Sequence, residues 1–212
     1  MMRVGLFGGS FDPIHTGHLR VAEEVREHFS LEKLHFIPAF AQPLKQGVKV
    51  TPAADRLKMV EIATRNNKFF HASPVEIGRG GLSYSIETIE TFAARHGEVY
   101  FLVGLDAFSE IDRWKDYRRI FEMAHLVVLV RPAHSKVHPS DLFPPDVRPD
   151  VKKIDDTTYE HRSGKRIIFH RVTQLDISST MIRQLAHRGA SIKYLVPYAV
   201  ERFIKRGGLY TE

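Results

Sequence analysis

Short apolar runs alternate along this chain with longer stretches whose apolar residues recur every three or four positions. The run Val4-Gly5-Leu6-Phe7 predicts a buried strand over residues 3–7. Leu19, Ala22, Val25 and Phe29 then fall at helical spacing, predicting a helix over 17–29 with Thr16 as its N-cap. Further strands are expected at 34–37, 69–72, 99–103, 126–130 and 167–169. Thr51-Pro52 predicts another helix start: Thr51 caps it, and Pro52 sits where a missing N–H costs nothing. Leu57, Met59, Val60 and Ala63 form its apolar side. Ser83 or Ser85 caps a helix carrying Ile86, Ile89, Phe92 and Ala93, and a short helix is expected at 117–123. A helix over 178–187 stops at Gly189. Pro197 opens the last helix, and Lys205-Arg206-Gly207-Gly208 closes it.

This alternation predicts an α/β fold: a Rossmann-like doubly wound parallel sheet with helices on both faces. Such sheets bind ligands beyond the carboxyl ends of their strands. The turn at Gly8-Gly9, Gly104-Leu105-Asp106 and Arg131-Pro132 each follow a predicted strand, so they are expected to meet on one edge. Residues 132–166 break the pattern, being rich in Pro, Asp, Lys and His. They read as a long, partly irregular excursion within a single domain spanning 1–212, with a helical segment from about 178.

With 212 residues, 43% of them hydrophobic, the chain can bury a sizeable core. The absence of cysteine excludes disulfides and Cys-ligated metal sites. Val4 to Phe7 is too short for a secretory h-region, and no apolar run approaches a membrane span, so a cytoplasmic protein is expected. The net charge of +6 suits either a nucleic-acid surface or an anionic substrate site. Lys and Arg form no dense block and aromatics are not interleaved with them, which favours the substrate site. Neither a nucleic acid nor a membrane is expected as partner.

The segment richest in chemistry is Gly8-Gly9-Ser10-Phe11-Asp12-Pro13-Ile14-His15-Thr16-Gly17-His18. Strand, Gly-rich turn and helix start together offer backbone N–H groups to a phosphate, and glycines let the backbone come close. Neither G-x-G-x-x-G nor Gly-Lys-Ser/Thr is present, which excludes the dinucleotide fingerprint and the P-loop. His15 and His18 can donate to phosphoryl oxygens as charge develops on them. Alone, either would read as a cap accessory or a satisfied core residue; together, after G-G-S-F-D-P, they favour phosphate chemistry. A zinc reading would need a third ligand that the neighbourhood lacks. A second helix start carries Ser178, Ser179 and Thr180, with Arg183 one turn in, a pattern able to clamp phosphates. A plain capped helix accounts for its serines alone. Trp114, the only tryptophan, is flanked by Asp112, Arg113, Lys115 and Asp116, which argues for a ring lining a cleft over a core ring.

Gly8 to His18 resembles the signature of the H-x-G-H nucleotidyltransferases, which serve adenylyl and cytidylyl transfer. Their second motif runs roughly I-S-S-T-x-I-R, and Ile177-Ser178-Ser179-Thr180-Met181-Ile182-Arg183 matches it throughout. Within that superfamily the chain is most similar to the bacterial nicotinate-nucleotide adenylyltransferases. Ser83-Tyr84-Ser85-Ile86-Glu87-Thr88 resembles their S-Y-T-x-[DE]-T, with Ser85 in place of Thr. Phe101-Leu102-Val103-Gly104-Leu105-Asp106 resembles their strand-to-G-x-D segment, and Tyr194-Leu195-Val196-Pro197 their late Y-x-[VL]-P. One departure is Pro43-Leu44-Lys45, where the family commonly has Pro-His-Lys; no role is carried to position 44.

The resemblance implies transfer of AMP from ATP to nicotinate mononucleotide, giving nicotinate adenine dinucleotide and pyrophosphate, a late step of NAD synthesis. It implies catalytic roles for His15 and His18. It implies ATP or phosphate contacts for Gly8, Gly9, Ser10, Phe11, Lys45, Gly104, Asp106, Arg131, Ser178, Ser179, Thr180 and Arg183. Asp106 can also cap the helix after its strand, and Arg131 can also be a solvated strand end. Tyr84, Ser85 and Trp114 are expected to hold the nicotinate mononucleotide. Mg²⁺ is expected with ATP, bound mostly through water and without direct side-chain ligands; Asp12 is either a holder of such a water or a turn residue. The alternatives are sister enzymes using nicotinamide mononucleotide or phosphopantetheine, and a catalytically silent nucleotide-binding module. The oligomeric state is left open, a homodimer being one option.

Overall fold

A computed structural model describes residues 2–45, 47, 50–130 and 138–211; the Lys45 side chain is outside that description. Its strands are β1 (Arg3–Gly9), β2 (Lys33–Pro38), β3 (Phe70–Ala72), β4 (Glu98–Gly104), β5 (His125–Val130), β6 (Val151–Lys153), β7 (Thr158–His161) and β8 (Arg166–Arg171). Its helices are α1 (Thr16–His28), α2 (Ala53–Thr64), α3 (Val75–Arg79), α4 (Ser85–Ala93), α5 (Leu105–Phe108), α6 (Tyr117–Met123), α7 (Ser179–His187) and α8 (Tyr198–Arg206).

The strands form one sheet in the order β3-β2-β1-β4-β5-β8-β7-β6. Pairing is parallel from β3 across to β8, as the βα alternation predicts. Side chains alternate between faces along each strand. Val99, Phe101 and Val103 of β4 pack with Ile86 and Ile89 of α4 and Ile120 and Phe121 of α6. Leu102 of the same strand joins Ala22 and Val25 of α1, Met59 of α2, Ile182 of α7 and Val200 of α8 on the opposite face. Both faces are therefore covered by helices.

The sequence-based expectation is corrected in the 132–166 region. Residues 131–137 lie outside the described residues, but β6 and β7 extend the sheet as an antiparallel hairpin beside β8. Phe143, Val147 and Tyr159 from this region are buried in the core. Strands this short carry too few apolar residues to show a period, and their pairing is decided by the edge they dock on.

Three expected caps also differ. His15, not Thr16, is the N-cap of α1. Thr51 makes no side-chain cap for α2; its backbone N–H donates to Asp12 Oδ2 over 3.3 Å. Tyr84 holds the cap position of α4, while Ser83 Oγ accepts from the Phe40 N–H over 2.9 Å. A polar side chain caps only when tertiary packing gives it no other partner.

Candidate active site

Sheet order reverses between β1 and β4: the chain runs outward to β2 and β3 on one side, and to β5 on the other. A crevice forms at such a switch point, beyond the carboxyl ends of the strands. Two clefts open there, of about 340 Å³ and about 180 Å³. They share Phe7 of β1 and Gly104 at the end of β4.

His15 and His18 line the smaller cleft, and their geometry follows from the start of α1. The His18 N–H donates to His15 Nδ1 over 3.4 Å, and the His15 N–H donates to His18 Nδ1 over 3.3 Å. This is a reciprocal capping box in which imidazoles replace the usual hydroxyl and carboxylate. The rings stack at 3.6 Å between centroids. Each Nδ1 accepts a hydrogen bond, so each neutral ring carries its proton on Nε2. Two helix-end N–H groups are satisfied, and both imidazoles are fixed as Nε2–H donors beside the positive end of α1.

Gly17 has a steric reason to lie between these histidines. A Cβ there would sit 3.0 Å from His15 Nδ1 and 3.1 Å from its Cε1. The bare backbone leaves room for the stacked pair, which a Cβ would crowd by a few tenths of an ångström. Asp106 and Ile177 line the same cleft; Asp106 is exposed in the first turn of α5, whose cap position is held by Gly104 and not by Asp106.

The larger cleft brings Gly8 and Gly9 together with Tyr84, Ser85 and Trp114. Gly8 and Gly9 are the last residues of β1, so the turn begins two residues later than expected. Trp114 is half-buried, edge-on to Phe101 at 6.2 Å, which agrees with a cleft-lining ring. The side chains of Lys115 and Glu76 also line this cleft, and sequence reasoning missed both roles. Lys115 Nζ lies 4.5 Å from the Tyr84 ring centroid and donates to Glu87 Oε1 over 2.8 Å. Glu87 also pairs with Arg79 over 3.1 Å, which turns it toward cations and away from the pocket. Glu76 is buried, accepts from Thr88 Oγ1 over 2.7 Å, and is pushed above the usual carboxylate range by burial.

The second motif backs the site. Ser178 Oγ caps α7 by accepting from the Met181 N–H over 3.1 Å. Ser179 Oγ donates to the Pro13 carbonyl over 2.9 Å. Arg183 donates to the Asp12 carbonyl over 2.8 Å and to Thr180 Oγ1 over 3.3 Å. Arg56, buried in α2, donates to the Ser10 carbonyl over 2.8 Å. Three carbonyls of the loop between β1 and α1 are thus turned onto protein donors. An anion near this loop is spared their negative ends.

Two candidates, Phe11 and Asp12, are buried. Phe11 is buried, with its ring 5.1 Å from that of His18 and 5.7 Å from that of Phe7, so only its backbone remains as a phosphate contact. Its φ of 48° places it in the left-handed region, a strained conformation for a bulky residue held here by packing. Asp12 is 4% exposed, and its carboxylate accepts from Tyr210 and Thr51. Arg131 lies outside the described residues, as does the Lys45 side chain. Among the described residues no group of three or more His, Asp or Glu side chains is placed to hold a metal ion.

A phosphate-ready helix start at the switch point of a doubly wound sheet, with a histidine pair across its first turn, defines a nucleotidyltransferase. The Cytidylyltransferase-like family matches residues 6–185, and the chain belongs to it. "Probable nicotinate-nucleotide adenylyltransferase" from Desulfatibacillum aliphaticivorans is 42% identical, covering 99% of this chain and 100% of its own. The protein of the same name from Syntrophotalea carbinolica is also 42% identical, over 99% and 97%. Within the wider class, the chain belongs to the nicotinate-nucleotide adenylyltransferase family. The fold is similar to Plasmodium falciparum nicotinic acid mononucleotide adenylyltransferase complexed with NaAD, with a TM-score of 0.75, 18% identity and coverage of 100% and 98%.

Proposed function

We propose that this chain transfers AMP from ATP to nicotinate mononucleotide, forming nicotinate adenine dinucleotide and pyrophosphate in NAD synthesis. The observation that carries this reading is the reciprocal His15–His18 cap, lining one cleft where it meets the other at Phe7 and Gly104. ATP occupies the smaller cleft and the mononucleotide the larger. The 5′-phosphate of the mononucleotide attacks the α-phosphorus in line, and pyrophosphate leaves. No protein nucleophile takes part; the work is alignment and neutralisation of negative charge. The Nε2–H groups of His15 and His18 donate to phosphoryl oxygens as charge builds there.

Arg183 has five N–H donors, of which two bonds go to Asp12 and Thr180; the others serve the departing pyrophosphate with Lys45. Mg²⁺ supplied with ATP would add positive charge to neutralise the phosphates, and among the described residues no side-chain cluster is placed to hold it. At the other end, Trp114 and Tyr84 flank the pyridine. The start of α4, the Ser85 hydroxyl and Lys115 supply donors and positive charge for its carboxylate. Glu87, a carboxylate in the first turn of α4 that could accept from an amide, is held by Arg79 and Lys115, and the buried Glu76 carboxyl already accepts from Thr88.

The test is pyrophosphate release with ATP and three acceptors: nicotinate mononucleotide, nicotinamide mononucleotide and phosphopantetheine. Donors aimed at the carboxylate are left unpaired by an amide at a cost of several kcal/mol, so kcat/KM should favour the acid by at least about 10²-fold. Equal use of acid and amide would replace this reading with a dual-specificity enzyme; turnover of phosphopantetheine alone would replace it with the sister activity.

A further inference from the structure

We propose that Tyr210 is a positioning residue for adenylyl transfer, acting through Asp12 on the loop that presents His15 and His18. The proposal rests on the adenylyl-transfer reading above. Tyr210 lies beyond α8, yet its hydroxyl donates to Asp12 Oδ1 over 2.7 Å, bridging 198 residues of sequence. Asp12 Oδ2 accepts from the Thr51 N–H over 3.3 Å. The Asp12 carboxylate is thus buried with one donor on each oxygen, in the field of the buried Arg56 guanidinium. The Tyr210 ring packs against the core on the α1 side of the sheet, with its hydroxyl 4.0 Å from Met59 Sδ.

The loop has little regular structure of its own. Phe11 is strained at positive φ, and the carbonyls of Ser10, Asp12 and Pro13 depend on donors from α2 and α7. The tie at Tyr210 acts, beside that of Thr51, on the carboxylate of Asp12 within this run, and it comes from the chain after the last helix. Its removal leaves a buried carboxylate oxygen without its donor. The Asp12 side chain must then turn, which tilts the loop that leads into the His15 cap. Ground-state binding, spread over both clefts, tolerates such a tilt; the transition state, which needs both imidazoles aimed at one phosphoryl group, does not.

The experiment compares Tyr210→Phe, Asp12→Asn and the double variant in pyrophosphate release from ATP and nicotinate mononucleotide. Thermal unfolding and the side-chain ¹⁵N resonances of His15 and His18 are followed beside it. Tyr210→Phe keeps the ring and removes the hydroxyl alone. We expect kcat to fall about tenfold, KM for both nucleotides to stay within about twofold, and the His18 resonance to move. The double variant should lie within about twofold of the slower single variant, because both break the same link. A kcat within twofold of the parent, or losses that multiply in the double variant, would overturn the proposal. So would unmoved histidine resonances, or a collapse in Tm with the folded fraction turning over at the parental rate. Failure of the parent protein to turn over these substrates would instead refute the functional reading, and the resonances would still report on the tie.

Discussion

The Arg183 guanidinium donates to the carbonyl oxygen of Asp12 over 2.8 Å, joining α7 to the loop before α1 across 171 residues of sequence. The two motifs of this chain are therefore one mechanical unit, with Ser179 on the Pro13 carbonyl as a second bond. Arg183→Lys keeps the charge and loses the fork, so one ammonium must serve either the loop or the phosphates. kcat/KM for ATP is expected to drop by about 10- to 100-fold, the cost of one to two charge-assisted hydrogen bonds. KM for the mononucleotide should barely change. A shift confined to the mononucleotide would show that Arg183 serves the other cleft.

His18 both caps α1 and donates to phosphate, and two substitutions separate the roles. His18→Ala loses both: kcat should fall about 10²–10³-fold, and stability by about 1 kcal/mol. His18→Asn supplies a short side-chain oxygen that can accept from the His15 N–H, so stability should recover while kcat stays low. Denaturant unfolding and kcat measured on both variants decide the matter. Recovery of kcat in the Asn variant would show that the cap was the whole role.

Gly17→Ala tests the ring contact. Alanine is the better helix former by up to about 1 kcal/mol, so little change in Tm is expected. Its Cβ meets the His15 ring at 3.0 Å, which the imidazole relieves by moving a few tenths of an ångström. We expect kcat lower by about tenfold or more from that displacement. Unchanged turnover would mean that the pair relaxes without losing its aim.

Trp114→Ala removes the wall of the larger cleft. Loss of base–aromatic stacking weakens the mononucleotide by about 1–3 kcal/mol, or roughly tenfold or more in KM. KM for ATP should hold. Broad destabilisation without a KM change would assign Trp114 to the core through its contact with Phe101.

His35 makes stability depend on pH. Its ring meets Phe92 at 4.8 Å, His71 at 5.3 Å and His96 at 6.3 Å, with Lys33 nearby. Burial, then the charges of His71, His96 and Lys33, lower its pKa from 6.5 to about 4. Among the described residues none bonds the buried Nε2 atoms of His35 and His71. The folded pKa lies below the unfolded one, so the unfolded state binds more protons between them. Stability is complete above about pH 6.5 and is lost as pH falls toward 4. The neutral His125, also lowered to about 4, acts in the same direction. His35→Phe should flatten this loss by about 1–2 kcal/mol, allowing for partial solvent access. Denaturant unfolding at pH 7 and pH 4.5 measures it; parallel slopes in parent and variant would place the effect elsewhere.

The placement of the two motifs was legible in the chain because it rests on local spacing, while the reaction came from the resemblance those motifs carry. His15 and His18 stand three residues apart at a helix start, and Ser178 caps the helix that carries Arg183. The βα alternation implied a switch point where their strands end. Those relations need only the periods of helix and strand. Tertiary structure alone decided the rest, because it turns on which distant group reaches a shared donor or acceptor first. Thr51, a natural cap by sequence, gave its backbone N–H to Asp12, and Asp12, a candidate beside magnesium, was enclosed by Tyr210 and Thr51. Thr16 left the cap to His15 and donated instead to the Leu195 carbonyl. Polar side chains have several competent partners, and packing brings only one within about 3 Å.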